Sequence, residues 1–260
     1  MLKGKVAVLT GSTSGIGLAA AHSLAKNNAH IVLHGLLDDA EGENLAADFS
    51  RTYGVDCIFD GADLRDPQAI DRFMDRVISR FGCIDILVNN AGIQYTEQIG
   101  AFPNDKWNDI LAINLSAAFH TMQRAIPVMR DQNWGRIINM ASVHGLVGSI
   151  NKSAYCASKH GLVGLTKVAA LENAGFGMTV NAICPGWVDT PLAGAQVERL
   201  AQQNGVSVNE AKKQLVGAKQ PISEMVKPSD IGDFVVFLCT AGASRISGSA
   251  LPIDGAWTAQ

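Results

Sequence analysis

The 260-residue chain has no long apolar run. No stretch approaches the roughly 20 residues a helix needs to cross a bilayer, so a membrane protein is not expected. The opening "MLKGKVAVLTG" carries only a short apolar segment that ends in a Thr-Gly turn, and it reads as a first strand rather than a secretory leader. Charge is scarce: 17% of residues are charged and the formal net charge is -3. There is no basic field to draw the molecule toward nucleic acid or an anionic membrane. Cysteines are few, odd in number and scattered (Cys57, Cys83, Cys156, Cys184 and Cys239), with no pair at metal-ligand spacing. A disulfide scaffold is thereby excluded, no metal is expected, and a reducing, cytoplasmic compartment fits. Internal repeats, low-complexity tracts and linkers are also missing.

What is present is apolar and regularly patterned. Hydrophobic residues make up 47% of the chain, as in a compact globular protein. Short β-branched runs at 5–10, 30–35, 55–60, 84–90, 135–142, 178–184 and 249–254 read as strands. Most are continuously apolar, the pattern of strands covered on both faces. Helical patterns near 15–28, 39–53, 67–81, 104–131, 153–174 and 228–240 lie between them. Strand–helix alternation predicts an α/β domain over 1–260: a doubly wound parallel sheet of about seven strands with helices on both faces. Residues 190–222 break the rhythm with two weak helical patterns and no strand, which predicts a helical lid over a binding site.

Chemistry is concentrated in a few places. "LTGSTSGIG" ends the first strand with Gly11, Gly15 and Gly17 directly before an apolar helix. A glycine turn there lets a pyrophosphate approach the positive end of the helix. Such glycine spacing is common by chance, and its placement between strand and helix is what strengthens it. About 20 residues on, dinucleotide folds often place an acid for the adenosine ribose. Here the region holds Leu36, Leu37 and then Asp38, which could serve the ribose or simply cap a helix. No Lys or Arg lies alongside to neutralise a 2′-phosphate, which favours NAD over NADP.

"ASVHGLVGSINKSAYCASKHG" sets Ser142 thirteen residues before Tyr155, and Lys159 four residues after it. On a helix, Tyr155 and Lys159 share a face. Ionising a free phenol at neutral pH costs about 4 kcal/mol. An ammonium about 4 Å away in a desolvated cleft offers attraction of similar size. Ser142, at the carboxyl end of a strand, could hydrogen-bond a reacting oxygen.

These motifs ("TGSTSGIG", "DLRD", "NNAG", the Ser142–Tyr155–Lys159 set and "PGWVDT") resemble the short-chain dehydrogenase/reductase family over nearly the full length. The resemblance implies a single Rossmann-type domain, a nicotinamide cofactor and, commonly, a homotetramer. It implies Tyr155 as acid/base, Lys159 as the ribose ligand that lowers the tyrosine pKa, and Ser142 as the group orienting the substrate oxygen. Asn114 would support a proton-relay water. Cofactor contacts are implied at Gly11, Thr13, Ser14, Gly15, Ile16 and Gly17, at Leu36, at Asp63 and Leu64, and at Asn90, Ala91 and Gly92. Further contacts are implied at Tyr155 and Lys159, and at Pro185, Gly186, Val188 and Thr190. Many NAD-using members carry an acid where this chain has Leu36.

"NNAGIQYTE", "SVHGLVGSINKSAY", "ICPGWVDTPL" and "DGAWTAQ" resemble the branch of the family that oxidises (R)-3-hydroxybutyrate with NAD. That resemblance implies a substrate carboxylate held by Gln94, His144, Lys152 and Gln196. A short hydroxy acid offers little apolar area, so its anion must carry the binding, and two amides, an imidazole and an ammonium can all donate to it. Trp187, Leu192 and Trp257 would enclose its alkyl end beside Ser142 and Tyr155. Each polar residue also has a plain reading, as a loop cap, a satisfied histidine or a solvated side chain. Other readings are a 3-oxoacyl-carrier-protein reductase, a sugar or secondary-alcohol dehydrogenase, and a dinucleotide-sensing binding protein. The intact Ser142, Tyr155, Lys159 and Asn114 argue against the last.

Overall fold

Each of the seven apolar runs forms a strand: β1 (Val6–Leu9), β2 (His30–His34), β3 (Cys57–Asp60), β4 (Ile86–Asn89), β5 (Gly135–Met140), β6 (Met178–Pro185) and β7 (Ala250–Ile253). The computed structural model describes residues 2–259; Met1 and Gln260, the ends of the expected domain, lie outside the described residues. The strands form one sheet in the order β3-β2-β1-β4-β5-β6-β7, paired in parallel throughout. β1 is flanked by β2 and β4, so the chain reverses its direction of winding there. The carboxyl ends on either side of that reversal open a crevice, the usual ligand position in such sheets.

Alternate strand residues feed two cores. Ala7, Leu9, Ile31, Leu33, Ile86 and Val88 point to one face and pack on helices α1 (Gly15–Lys26), α2 (Asp39–Tyr53) and α9 (Pro228–Leu238). Val6, Val8, Val32 and Leu87 point to the other face, against α3 (Pro67–Phe81) and α5 (Ala117–Asp131). Every residue of β1 and β4 is buried, which is why these strands lack polar alternation. A core side chain such as Phe73, fully buried on α3, contributes about 3–5 kcal/mol by the usual truncation scale.

The pattern at 104–131 is not one helix. It is α4 (Asn104–Leu111), a wide π-type turn at Ala112–Ser116, and α5. The extra residue in that turn disturbs the helical ladder, a feature often found at functional sites. Asn114 lies within it and bonds outside the helix, to Ile93 N at 2.8 Å and Ile93 O at 2.9 Å. α6 (Ser153–Asn173) runs unbroken and carries Tyr155 in its first turn.

Between β6 and α9 stand α7 (Pro191–Asn204) and α8 (Val208–Gly217). They have a small core of their own, with Val197, Ala201 and Ala211 buried against Leu200, Val206, Leu215 and Met225. No helix among the described residues is long and apolar enough to cross a membrane.

Candidate active site

The turn after β1 is bound on both sides. Asn90, just after β4, donates from Nδ2 to Thr10 O at 3.1 Å and Gly11 O at 2.8 Å. The backbone N–H groups of Asn90 and Ala91 donate to Thr10 Oγ1 at 3.0 and 3.1 Å. Gly11 N–H donates to His34 Nδ1 at 3.2 Å, so the ring proton sits on Nε2 and donates to Ala62 O at 2.8 Å. Burial holds the His34 pKa below its usual value, in keeping with this neutral form. The glycines here are dictated by space. A Cβ on Gly11 would fall 2.8 Å from Ala91 Cα, and one on Gly17 would fall 2.3 Å from Gly11 O.

α1 starts at Gly15 with Ser14 as N-cap, no side-chain capping bond and no acid in its first turn. Its first N–H groups are therefore offered to an anion. They border a cleft of about 550 Å³, within the range of small-molecule sites. Of the residues expected at the cofactor, Gly11, Thr13, Ser14, Gly15, Ile16, Leu36, Asp63, Leu64, Asn90, Ala91, Gly92, Tyr155, Lys159 and Thr190 line this cleft. Gly17 lies beneath the turn, and Pro185, Gly186 and Val188 line the adjoining cleft together with Thr190. The uncapped helix end, the crowded glycines and the cleft size fit a dinucleotide.

At the adenosine end, Leu36 is 85% exposed. The Asp38 carboxylate caps α2 by accepting from Glu41 N at 2.8 Å, so the capping alternative is the one realised. Arg65, which the sequence did not single out, forks onto Asp63 at 2.7 and 3.0 Å and approaches Asp109 at 3.9 Å. That hydrogen-bonded fork holds the Asp63 carboxyl below the usual carboxylate range.

The adjoining cleft is smaller, about 100 Å³. All nine residues expected at the substrate line it: Gln94, Ser142, His144, Lys152, Tyr155, Trp187, Leu192, Gln196 and Trp257. The loop after β4 is stitched to the loop before α6 by a Glu97–Lys152 bridge, with Glu97 N donating to Asn151 O at 2.9 Å. That bridge brings Gln94 and Lys152 to one cleft. Ser142 Oγ accepts from His144 N at 3.2 Å. The His144 ring stands edge-on to Tyr155 (6.1 Å) and Trp257 (5.4 Å), and Trp257 stacks with Trp187 at 6.1 Å. Lys152 Nζ donates to Gln196 Oε1 at 3.4 Å and lies 5.4 Å from the Trp187 ring centre.

One buried polar atom on a described residue lining this cleft, Trp187 Nε1, has no partner, while the His144 ring meets the Val147 backbone. An unpaired buried polar atom costs about 1–3 kcal/mol, and a polar ligand would recover it. Burial, with the Lys152 ammonium adding to it, pushes the His144 pKa down to about 4. Burial also lowers Lys152 below the ordinary lysine range.

Burial dominates around the Tyr155–Lys159 pair. Burial pushes the Tyr155 phenol up to about 12, with its Ser142 hydrogen bond pulling the other way. Burial brings Lys159 down to about 8. Nζ lies 5.6 Å from the tyrosine ring centre and donates to Met140 O at 2.7 Å. Asn114 lines neither cleft. It is buried, and its Nδ2 also donates to Ser158 Oγ at 3.3 Å, whose hydroxyl donates to Tyr155 O at 2.8 Å.

The short chain dehydrogenase family pattern matches residues 5–201. The chain belongs to that family, whose members use a nicotinamide dinucleotide, and it is an oxidoreductase acting on CH–OH groups. It is 49% identical to a D-beta-hydroxybutyrate dehydrogenase of Cupriavidus necator, over 100% of both chains. A D-beta-hydroxybutyrate dehydrogenase of Rhizobium meliloti is 44% identical over 98% of this chain and 99% of its own. Among solved structures, L-sorbose reductase from Gluconobacter frateurii, complexed with NADPH and L-sorbose, matches at TM-score 0.94 and 33% identity, over 100% of this chain and 98% of that one.

Proposed function

We propose that the protein interconverts (R)-3-hydroxybutyrate and acetoacetate with NAD, as a cytoplasmic homotetramer. The observation that carries this reading is the smaller cleft. It is small, it adjoins Ser142 and Tyr155, and it gathers one ammonium, one imidazole and two amides. Such a donor set suits a short carboxylate and offers little to a neutral alcohol. The names of the two bacterial relatives point the same way. Choice of NAD is supported by the exposed Leu36, by Asp38 being engaged as a cap, and by Arg65 being engaged with Asp63 and Asp109. Among the described residues lining that end of the cleft, no cation stands without a carboxylate partner to meet a 2′-phosphate. Exposed Phe119 on α5, with Val168 and Leu171 on α6, supports burial between subunits.

When bound, the dinucleotide would supply the hydride acceptor, held by the glycine turn, Asn90–Gly92, Lys159 and Thr190. Lys152, His144 and Gln94 bind the carboxylate and so fix which face of C3 is presented. Ser142 donates to the substrate oxygen, and Tyr155 accepts the hydroxyl proton. A phenol near 12 needs nearby positive charge to serve as base at neutral pH. Lys159 supplies one such charge. Asn114, reaching Tyr155's carbonyl through Ser158, positions the start of α6 and the route by which the proton leaves. Residues 190–222 close over the cleft, bring Gln196 to the carboxylate and exclude water.

The test follows absorbance on offering NAD or NADP with (R)- and (S)-3-hydroxybutyrate, 2-butanol and, in reverse, an acetoacetyl thioester. The expected result is turnover of the R acid with NAD, lowered about 10²–10⁴-fold in Tyr155→Phe with dinucleotide affinity retained. Preference for the neutral alcohol, the thioester or NADP would overturn the reading.

A further inference from the structure

Trp187 and Trp257 stack at 6.1 Å to form one wall of the smaller cleft. The Trp187 indole N–H has no partner, so its ring is placed by packing and by its backbone. That backbone is held by Gln220, a 1%-exposed residue in the segment leaving α8. Gln220 Oε1 accepts from Trp187 N at 3.2 Å, and Nε2 donates to Ile222 O at 2.9 Å and Glu224 O at 2.6 Å. One buried amide thus joins the strand entering the lid to the segment leaving it.

The same side chain supports the turn that carries Trp257. A Cβ on Gly255 would fall 2.4 Å from Gln220 Cγ, and one on Gly186 would fall 2.9 Å from Gln220 Oε1. Gln220 therefore runs through a space that only two glycines leave open. Ile222 N donates to Gly255 O at 3.0 Å, and Val226 N donates to Trp187 O at 2.8 Å. On the far side of the turn, Asp254 accepts from Ala256 N at 3.1 Å, Thr258 N at 2.9 Å and Thr258 Oγ1 at 2.6 Å. Gln220 itself lines neither cleft.

We infer that Gln220 is a positioning residue for substrate length: it sets the register of the Trp187–Trp257 wall, so the cleft takes a four-carbon hydroxy acid and turns away longer ones. This rests on the hydroxy-acid reading above. The Gln220 amide uses both its N–H donors and its oxygen on three backbone partners that belong to the tryptophan-bearing segments and their neighbours. Removing it frees both rings to shift while leaving Ser142, Tyr155 and Lys159 untouched.

The experiment compares kcat/KM for 3-hydroxybutyrate, 3-hydroxyvalerate and 3-hydroxyhexanoate in wild type, Gln220→Ala, Trp257→Ala and the double variant. Gln220→Ala is expected to raise KM for hydroxybutyrate about ten-fold. It should also raise the six-carbon to four-carbon selectivity ratio about ten-fold, with the pH profile and dinucleotide affinity unchanged. In the Trp257→Ala background the same substitution should barely move that ratio, since both act through one wall. If Gln220→Ala does not fold, the near-isosteric Gln220→Glu keeps an acceptor for Trp187 N but loses both donations, and should shift the ratio in the same direction. A wild type that turns over hydroxybutyrate but variants with an unchanged ratio, or additive effects in the double variant, would overturn this inference alone. A wild type inactive on all three acids would overturn the functional reading and the inference together.

Discussion

His144 makes the folded protein acid-sensitive in a way that can be worked out from its surroundings. The ring is 5% exposed, and burial together with the Lys152 ammonium places its pKa at about 4, against 6.5 when unfolded. Between those values the unfolded chain binds a proton that the folded chain refuses. Stability from this group is full above the unfolded pKa and falls as pH drops toward the folded one. The whole shift corresponds to about 3 kcal/mol, and the part lost between about pH 7 and about pH 5 is about 2 kcal/mol. The perturbation is His144→Gln, which fills a similar volume and does not titrate. Urea unfolding at matched protein concentration, repeated across that pH range, measures the difference. The wild type should lose about 2 kcal/mol more than the variant on acidification. Parallel curves for the two proteins would show that the imidazole accepts its proton freely when folded, and the account of a desolvated, neutral donor would fail. An anion in the cleft opposes the effect, so added acetoacetate should flatten the wild-type curve.

Lys152→Ala should raise KM for the hydroxy acid about 10–100-fold, the range for one charge-assisted hydrogen bond, while leaving kcat/KM for 2-butanol unchanged in steady-state assays. Equal losses on both substrates would make Lys152 structural. Gly17→Ala would put a methyl 2.3 Å from Gly11 O and 2.5 Å from Asn90 Nδ2. Calorimetric titration should show dinucleotide affinity down about ten-fold or more, with stability lower by about 1–3 kcal/mol. An unchanged Kd would mean that the turn is softer than its packing indicates.

The sheet was legible because strands covered on both faces are written as unbroken apolar runs, and all seven formed where those runs lie. The smaller cleft was legible through the family resemblance, which assembled residues as distant as Gln94 and Trp257. Other features were not. The π-type turn at Ala112–Ser116 leaves almost no mark on helical periodicity, so 104–131 read as one helix. Lys159 is at the right spacing from Tyr155, yet the bond from its ammonium to Met140 O depends on how α6 lies against β5. Arg65 leaves no mark beside Leu36 in the sequence, because it reaches the same cleft from the loop after β3. His34 carried a faint signal, a histidine closing an apolar strand beside a glycine turn. Gln220 carried none, since its meaning comes from three segments that meet only in the folded chain.

The helices α7 and α8 bury their apolar residues chiefly against one another and not against the sheet. The seams of this unit with the rest of the chain include the Lys212–Asp189 ion pair at 2.9 Å, the Lys152–Gln196 contact, and the bonds that tie Gln220 and Ile222 to Trp187 and Gly255. Residues on the cleft side of this pair can therefore be exchanged with little penalty to folding, which makes it the natural place for descendants of one ancestor to diverge in what they accept.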